Sequence, residues 1–297
     1  MSIRTLASGL GWPEGPAVLP DGSIAFVEMY RSQVSVFREG RGVERLADTG
    51  GGPNATILGS DGLLYVTQNG GIDGPFHAER MMPPSIQRIS QTGGVEVLLT
   101  EVDGVTLRAP NDLVFGPDGR LYFTDPGVYE PDFPSSPGYL FAVDATGKGE
   151  VLAELPPVYP NGLVAEPDGS IVWVESYTRA VRRRHPDGTI IDLHRFADPL
   201  AVPDGLKADT AGNLYITATA AGGICVLGPG GEPVDFLSVG LVPTNCVFVR
   251  DGVLIVTDGG HTGVDAAERT GALLAVEIQT EGRPLYPGLL AIPSDQT

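Results

Sequence analysis

The stretch Trp12-Pro13-Glu14-Gly15-Pro16-Ala17-Val18-Leu19-Pro20-Asp21-Gly22-Ser23-Ile24-Ala25-Phe26-Val27 holds the pattern that the rest of the chain repeats. A proline opens an apolar run, an Asp-Gly turn stands eight residues on, and a β-rich run comes next. Strand, Asp-Gly turn, strand is the strongest short-range signal for a hairpin. The phrase returns at Pro53-Asn54-Ala55, Pro110-Asn111-Asp112, Pro160-Asn161-Gly162, Pro203-Asp204-Gly205 and Pro243-Thr244-Asn245. Successive prolines are 40, 57, 50, 43 and 40 residues apart. In the fifth copy Ala211-Gly212 takes the place of Asp-Gly.

Two weaker strands come after each hairpin, at 33–38 and 43–47 in the first unit and at 139–144 and 150–154 in the third. No segment carries a long helical stripe. Four strands in a unit of this length are the signature of a propeller blade, and six units predict a six-bladed all-β propeller over residues 1–297 as one domain. The last unit offers only Gly282-Arg283-Pro284 where its fourth strand is due, while 3–8 forms a strand with no blade of its own. The N-terminal strand is therefore expected to complete the sixth blade, sealing the ring and covering an open sheet edge.

The balance of 37 Asp and Glu against 19 Lys and Arg leaves a net charge of −18 over 297 residues. Such a surface repels phosphate backbones and anionic lipid, which argues against nucleic-acid and membrane-surface partners. No apolar window is long enough to span a bilayer, and the first twenty residues do not read as a signal peptide. The expectation is a cytoplasmic protein with a small-molecule substrate and no predicted oligomeric state. Cys225 and Cys246 are too few to make a disulfide framework.

In a propeller the innermost strands line the central channel. The residue after each repeat proline opens that strand, so Glu14, Asn54, Asn111, Asn161, Asp204 and Thr244 are expected around one mouth. A second ring is expected fifteen residues past each proline, at Glu28, Gln68, Asp125, Glu175, Ala218 and Asp258. The first ring brings together two carboxylates and three carboxamides, and neither ring contains Lys or Arg. Crowded carboxylates repel one another unless a cation neutralises them. Oxygen-only donors select a hard cation, Ca²⁺ foremost, with Mg²⁺ or Mn²⁺ after it and Zn²⁺ weaker still because no Cys or His joins the rings.

Trp12-Pro13-Glu14-Gly15-Pro16, Ala109-Pro110-Asn111-Asp112-Leu113, Tyr122-Phe123-Thr124-Asp125-Pro126, Tyr159-Pro160-Asn161-Gly162-Leu163 and Val202-Pro203-Asp204-Gly205-Leu206 resemble motifs of the senescence-marker-protein, gluconolactonase and luciferin-regenerating-enzyme family. The resemblance runs over essentially the whole chain. It implies a six-bladed propeller with a divalent metal, usually Ca²⁺, at the channel mouth and hydrolysis of lactones, often sugar-derived. By motif match it makes Glu14, Asn161 and Asp204 metal ligands, Asn111 a contact to metal or substrate, and Asp204 also the acid/base. Members often carry Arg two residues before the Asn of the third phrase; here Arg108 stands three before Asn111.

Three long loops are expected at the same mouth, at 69–84, 126–138 and 259–271, and loops of this length in compact domains are commonly functional. With the ring residues they make Arg108, Asn111, Asp125, Tyr129 and His261 candidates for substrate contact. Phe76, His77, Arg80, Met81, Met82, Phe133 and Arg269 also lie on these loops and suit a substrate with an apolar part. Nucleophile-elbow, zinc-helix and phosphate-loop motifs are absent. Two other readings share the ring: a calcium phosphotriesterase like diisopropylfluorophosphatase, and a non-catalytic calcium-stabilised binding propeller.

Overall fold

The computed structural model describes residues 1–250, 252–261 and 270–292. Its main sheets are six four-stranded antiparallel sheets set around one axis. Blade 1 runs Pro13–Val18, Ile24–Glu28, Gln33–Arg38 and Gly42–Asp48 from the axis outward. The inner strands of blades 2 to 6 are Pro53–Leu58, Leu113–Phe115, Pro160–Ala165, Pro203–Ala208 and Pro243–Val249. Each inner strand contacts those of both neighbouring blades, so the ring closes. Ile3–Leu10 pairs with Gly271–Glu277 and forms the outer strand of blade 6, as the open edge in the sequence predicts. Apart from strands, the described residues form two three-residue 3-10 helices, and no helix is long and apolar enough to cross a membrane.

The hairpin turns form where the Asp-Gly pairs stand. Asp21 Oδ1 accepts the Ser23 N–H at 3.0 Å, and Gly22 adopts φ +83°. Blade 5, which has Ala211 at the Asp position, uses Asp209 instead: its Oδ1 accepts the Ala211 and Asn213 N–H groups at 2.9 and 2.8 Å. Between blades the cores are apolar and aromatic. Trp173 of blade 4 packs in one cluster with Phe115, Phe123 and Phe141 of blade 3 and Tyr65 of blade 2, all wholly buried.

The inner strands share one irregularity. The register slips just after the opening proline in blades 1, 2, 4, 5 and 6, a β-bulge beside the ring residue. In blade 3 the regular strand begins only at Leu113, with Asn111 and Asp112 joined to Thr124 by separate backbone bonds. Bulges re-aim side chains, and here they turn the ring residue into the channel. In blades 1, 4 and 5 a glycine stands after the ring residue because the next inner strand passes too close for a side chain. A Cβ on Gly15, at φ +48°, would lie 2.2 Å from Ala55 Cα, and one on Gly162 would lie 2.3 Å from the Asp204 carbonyl oxygen.

Beyond blade 6 the chain crosses the far end of the channel. Arg283 N–H donates to Ala208 of blade 5, Ser60 N–H of blade 2 to Gly288, and Ala291 N–H to Ala145 of blade 3. The segment expected to be a poor strand is thus a strap that ties three blades together, with Leu290 fully buried.

Replacing Gly15 by Ala forces a methyl group into backbone at a left-handed φ, and the expected loss is roughly 2–4 kcal/mol. Gly22→Ala, also at positive φ but with open space around it, should cost only about 1 kcal/mol. Chemical denaturation of both variants checks the difference, and equal losses would contradict the close approach.

Candidate active site

Five of the six ring residues line one cavity of about 420 Å³ at the start of the inner strands: Glu14, Asn54, Asn111, Asn161 and Asp204. Thr244 does not. It is fully buried, and its hydroxyl donates to the Pro13 carbonyl at 2.9 Å, joining blade 6 to blade 1. A larger cavity, about 730 Å³, lies at the opposite end beneath the C-terminal strap, lined by strand ends such as Val18, Leu58 and Val249. It gathers no set of carboxylates, so size does not identify the reactive end.

The second ring does not face the cavity. Antiparallel pairing sets Glu28 opposite Pro13, Glu175 opposite Pro160 and Asp258 opposite Pro243. Side chains alternate along a strand, so these residues share the proline's face and point away from the ring residue beside it. Glu175 accepts from the Thr178 hydroxyl and pairs with Arg182, while Asp125, Asp258 and Glu28 hold the loop that enters the inner strand. Asp125 accepts the N–H groups of Arg108, Ala109 and Gly127 at 2.8, 2.9 and 3.1 Å. Asp258 accepts those of Leu241, Val242 and Gly260. Glu28 accepts from the Gly11 N–H, the Gln33 amide and the Ser35 hydroxyl. One residue further on the face reverses, and Met29, Ser176 and Thr219 do line the cavity.

Two other expected contacts lie elsewhere. Arg108 directs its guanidinium outward, 5.2 Å from the centre of the Tyr139 ring and bonded to the Pro137 carbonyl. His261 lies in a separate groove beside Ile3 and Ser8 at the edge of blade 6. Tyr129 does line the cavity. The 69–84 loop contributes a short hairpin, Ile72–Asp73 with Phe76–His77, which brings Asp73 and Pro75 to the cavity wall. Arg80 instead pairs with Asp48 at 2.5 Å, and Phe133 is exposed. Residues 262–269 of the third loop, Arg269 among them, lie outside the described residues, as does Asp251.

Glu14 and Asp204 sit on blades 1 and 5, and their carboxylates repel each other. Burial, then the Asp112 charge, pushes Glu14 up to about 8 from an ordinary 4.5, against the opposing pull of the Gly15 N–H bond at 2.5 Å, the Asn245 amide and the Lys207 ammonium. Burial, then the charges of Glu14, Asp112 and Asp73, holds Asp204 well above its usual range, with Asn161 opposing. The Asn161 amide nitrogen donates to the Ser176 hydroxyl at 3.1 Å, and Ser176 donates to the Pro203 carbonyl at 2.8 Å. That chain orients the carboxamide from behind.

A second polar layer lies beneath this floor. Asp112 and Asn245 occupy the position that is glycine in blades 1, 4 and 5, and Lys207 stands two beyond Gly205 on the blade 5 inner strand. Lys207 Nζ stands 3.7 Å from Asp112 Oδ2 and donates to Asn245 Oδ1 at 3.3 Å, while the Asn245 amide donates to Asp112 at 3.3 Å. Both charged side chains are largely buried.

Among the described residues no three His, Cys, Asp or Glu side chains converge on one point. The anionic donors at the cavity floor are two, Glu14 and Asp204, and the carboxamides of Asn111 and Asn161 beside them offer further oxygens. A hard divalent cation fits this set: it would neutralise two carboxylates that are otherwise driven towards protonation.

Residues 12–258 match the SMP-30/Gluconolactonase/LRE-like region, and the chain belongs to that family. It is 27% identical to a gluconolactonase of Zymomonas mobilis over 304 residues, covering 90% of this chain and 82% of the relative. A shorter similarity, 33% over 120 residues, links 38% of this chain to 36% of an L-arabinolactonase of Azospirillum brasilense. Among solved structures, the calcium-binding protein regucalcin of Agrobacterium tumefaciens superposes with a TM-score of 0.76 at 18% identity, covering 97% of both chains.

Two outcomes test the electrostatics. In the metal-free protein, unfolding lets Glu14 ionise near its ordinary 4.5 while the folded state keeps its proton up to about 8. Stability should therefore fall as pH rises through that window. Melting temperatures of metal-free protein should be higher at pH 5 than at pH 8, and added divalent cation should remove the difference. Lys207→Met strands the Asp112 carboxylate, at an expected cost of roughly 3 kcal/mol. Asp112→Asn in the same chain should restore most of it, as urea melts would record.

Proposed function

We propose that the chain is a hydrolase that opens a lactone at the cavity above Glu14, Asn161 and Asp204, with a divalent cation, calcium foremost, held by those three residues and Asn111. The observation that carries the reading is the oxygen-only floor, the buried Glu14 and partly buried Asp204 carboxylates with two carboxamides, from four blades in all, within an open cavity. Membership of the family supports it, as does similarity to a gluconolactonase and an L-arabinolactonase. A calcium-binding structural relative favours calcium among the hard cations. No Cys or His is among the described residues that line the cavity, which disfavours zinc.

When bound, the cation supplies Lewis-acid polarisation of the ester carbonyl and stabilises the oxyanion. Asp204 is only partly buried and opens onto the cavity, so it is placed to take a proton from an attacking water. Glu14 is almost wholly buried and tied to the Gly15 N–H, so its part is charge and position. Asn161, held by Ser176, keeps its carboxamide in place beside Asp204. Tyr129 and Tyr159 border the same space, and burial with the nearby Asp73 and Asp204 charges keeps their hydroxyls protonated as neutral donors.

Ligand and base separate by substitution. Asp204→Asn keeps an oxygen donor but cannot accept a proton, so its rate at saturating calcium should stay about 10²–10⁴-fold below that of the unchanged protein. Glu14→Gln should weaken calcium binding and recover most of its rate in excess calcium. Calcium titrations of lactone hydrolysis for both variants decide between the roles. Activity that persists after complete removal of metal would overturn the assignment.

A further inference from the structure

The floor of the cavity is polar, but its walls are aromatic and come from opposite sides of the ring. On blade 1, Trp12 stacks on Tyr30 with centroids 5.4 Å apart, and Tyr30 stacks on Phe76 of the blade 2 loop at 4.8 Å. On blade 4, diametrically across a six-bladed ring, Tyr159 packs against Tyr177 at 5.0 Å and against Tyr129 of the blade 3 loop at 5.1 Å.

Trp12 and Tyr159 occupy the same repeat position, just before the opening proline. Both adopt left-handed backbone, at φ +54° and +56°, which is costly for a bulky side chain and recurs at functional sites. The fold does not require an aromatic there: the other four blades carry Gly52, Ala109, Val202 and Val242. The two strained aromatics are therefore explained by what they face rather than by the repeat. Val202, Leu241 and Val242 continue the apolar lining between them.

Resting on the lactonase reading above, we propose that the preferred substrate is a lactone bearing a flat apolar group, an aryl-fused or aryl-substituted ring, clamped between the Trp12 and Tyr159 walls with its ester over the Glu14–Asp204 floor. Flat rings gain both buried area and offset stacking on such walls. A polyhydroxylated lactone could pair some hydroxyls with the floor, Asp73 and the tyrosine hydroxyls, but would leave the apolar surface of Trp12, Val202, Leu241 and Val242 without a matching group.

The test compares dihydrocoumarin with glucono-1,5-lactone. The aryl lactone should be turned over with a kcat/KM at least about 10-fold higher, and Tyr159→Leu should lower that ratio about 10-fold, mainly through KM for the aryl substrate, as expected for loss of one stacking wall. Tyr129→Leu, on an exposed loop, carries the same comparison should the first variant not fold. A ratio that favours the sugar lactone, or one that neither variant changes, overturns the proposal. Failure of the lactonase reading is read separately by binding of the unreactive lactam 3,4-dihydro-2-quinolinone. The chain has two tryptophans, and Trp173 is wholly buried, so quenching of fluorescence reports Trp12. Lactam binding that weakens in Tyr159→Leu, with no lactone hydrolysed, would retain the aryl site and discard the lactonase. No saturable quenching would discard the aryl site as well.

Discussion

Six inner strands must converge on one axis, and at the level of the opening prolines their backbones approach within van der Waals contact. That crowding shapes the whole channel mouth. Where the neighbouring strand leaves no room, only glycine fits, as at Gly15, Gly162 and Gly205. The bulge that accommodates the approach turns the preceding Glu14, Asn161 and Asp204 into the channel. Where a side chain is present instead, as at Asp112 and Asn245, it enters the channel one layer deeper and meets Lys207. Two stacked polar layers thus arise from one packing constraint, the upper open to a cavity and the lower closed.

The two layers resolve their charge differently. Below, Asp112 has an ammonium and a carboxamide of the protein's own, so its charge is balanced within the fold. Above, Glu14 and Asp204 repel each other and feel the further carboxylates Asp112 and Asp73. Burial drives both towards the protonated form despite the N–H groups, carboxamides and Lys207 that oppose it. In the proposed reading a cation would relieve that repulsion, so its binding would be coupled to a gain in stability over the apo protein. The clamps at Asp125, Asp258 and Glu28 show the contrast within one molecule: buried carboxylates that accept two or three N–H bonds serve the backbone and are not free for ligand chemistry.

Much of this architecture is legible in the amino-acid order alone. The recurrent Pro, eight-residue spacing and Asp-Gly turn are local features, and local features specify hairpins; six of them at blade length leave few architectures other than a propeller. The orphan strand at the N-terminus and the missing one at the C-terminus predict the closure, because an unpaired edge is costly. The ring at the residue after each proline comes from the same count, and Thr244 is the one member that turns elsewhere, since its hydroxyl finds a backbone carbonyl to bond.

What the sequence could not decide was which face of a strand a residue takes, because pairing register is set between strands and a shift of one residue reverses every side chain. For that reason Asp125, Glu175 and Asp258 were expected in the cavity, whereas their neighbours one place on, such as Ser176, line it. Loop residues were beyond reach for a related reason. Nothing local distinguishes Tyr129, which bends into the cavity, from Arg108, which bends out to Tyr139, or predicts that the 69–84 loop folds into a hairpin carrying Asp73. The amino-acid sequence by itself determined the repeat, the ring closure and the oxygen-rich mouth. Only the tertiary structure, through strand register and the packing of distant blades, decided which of those oxygens and aromatic rings share one space.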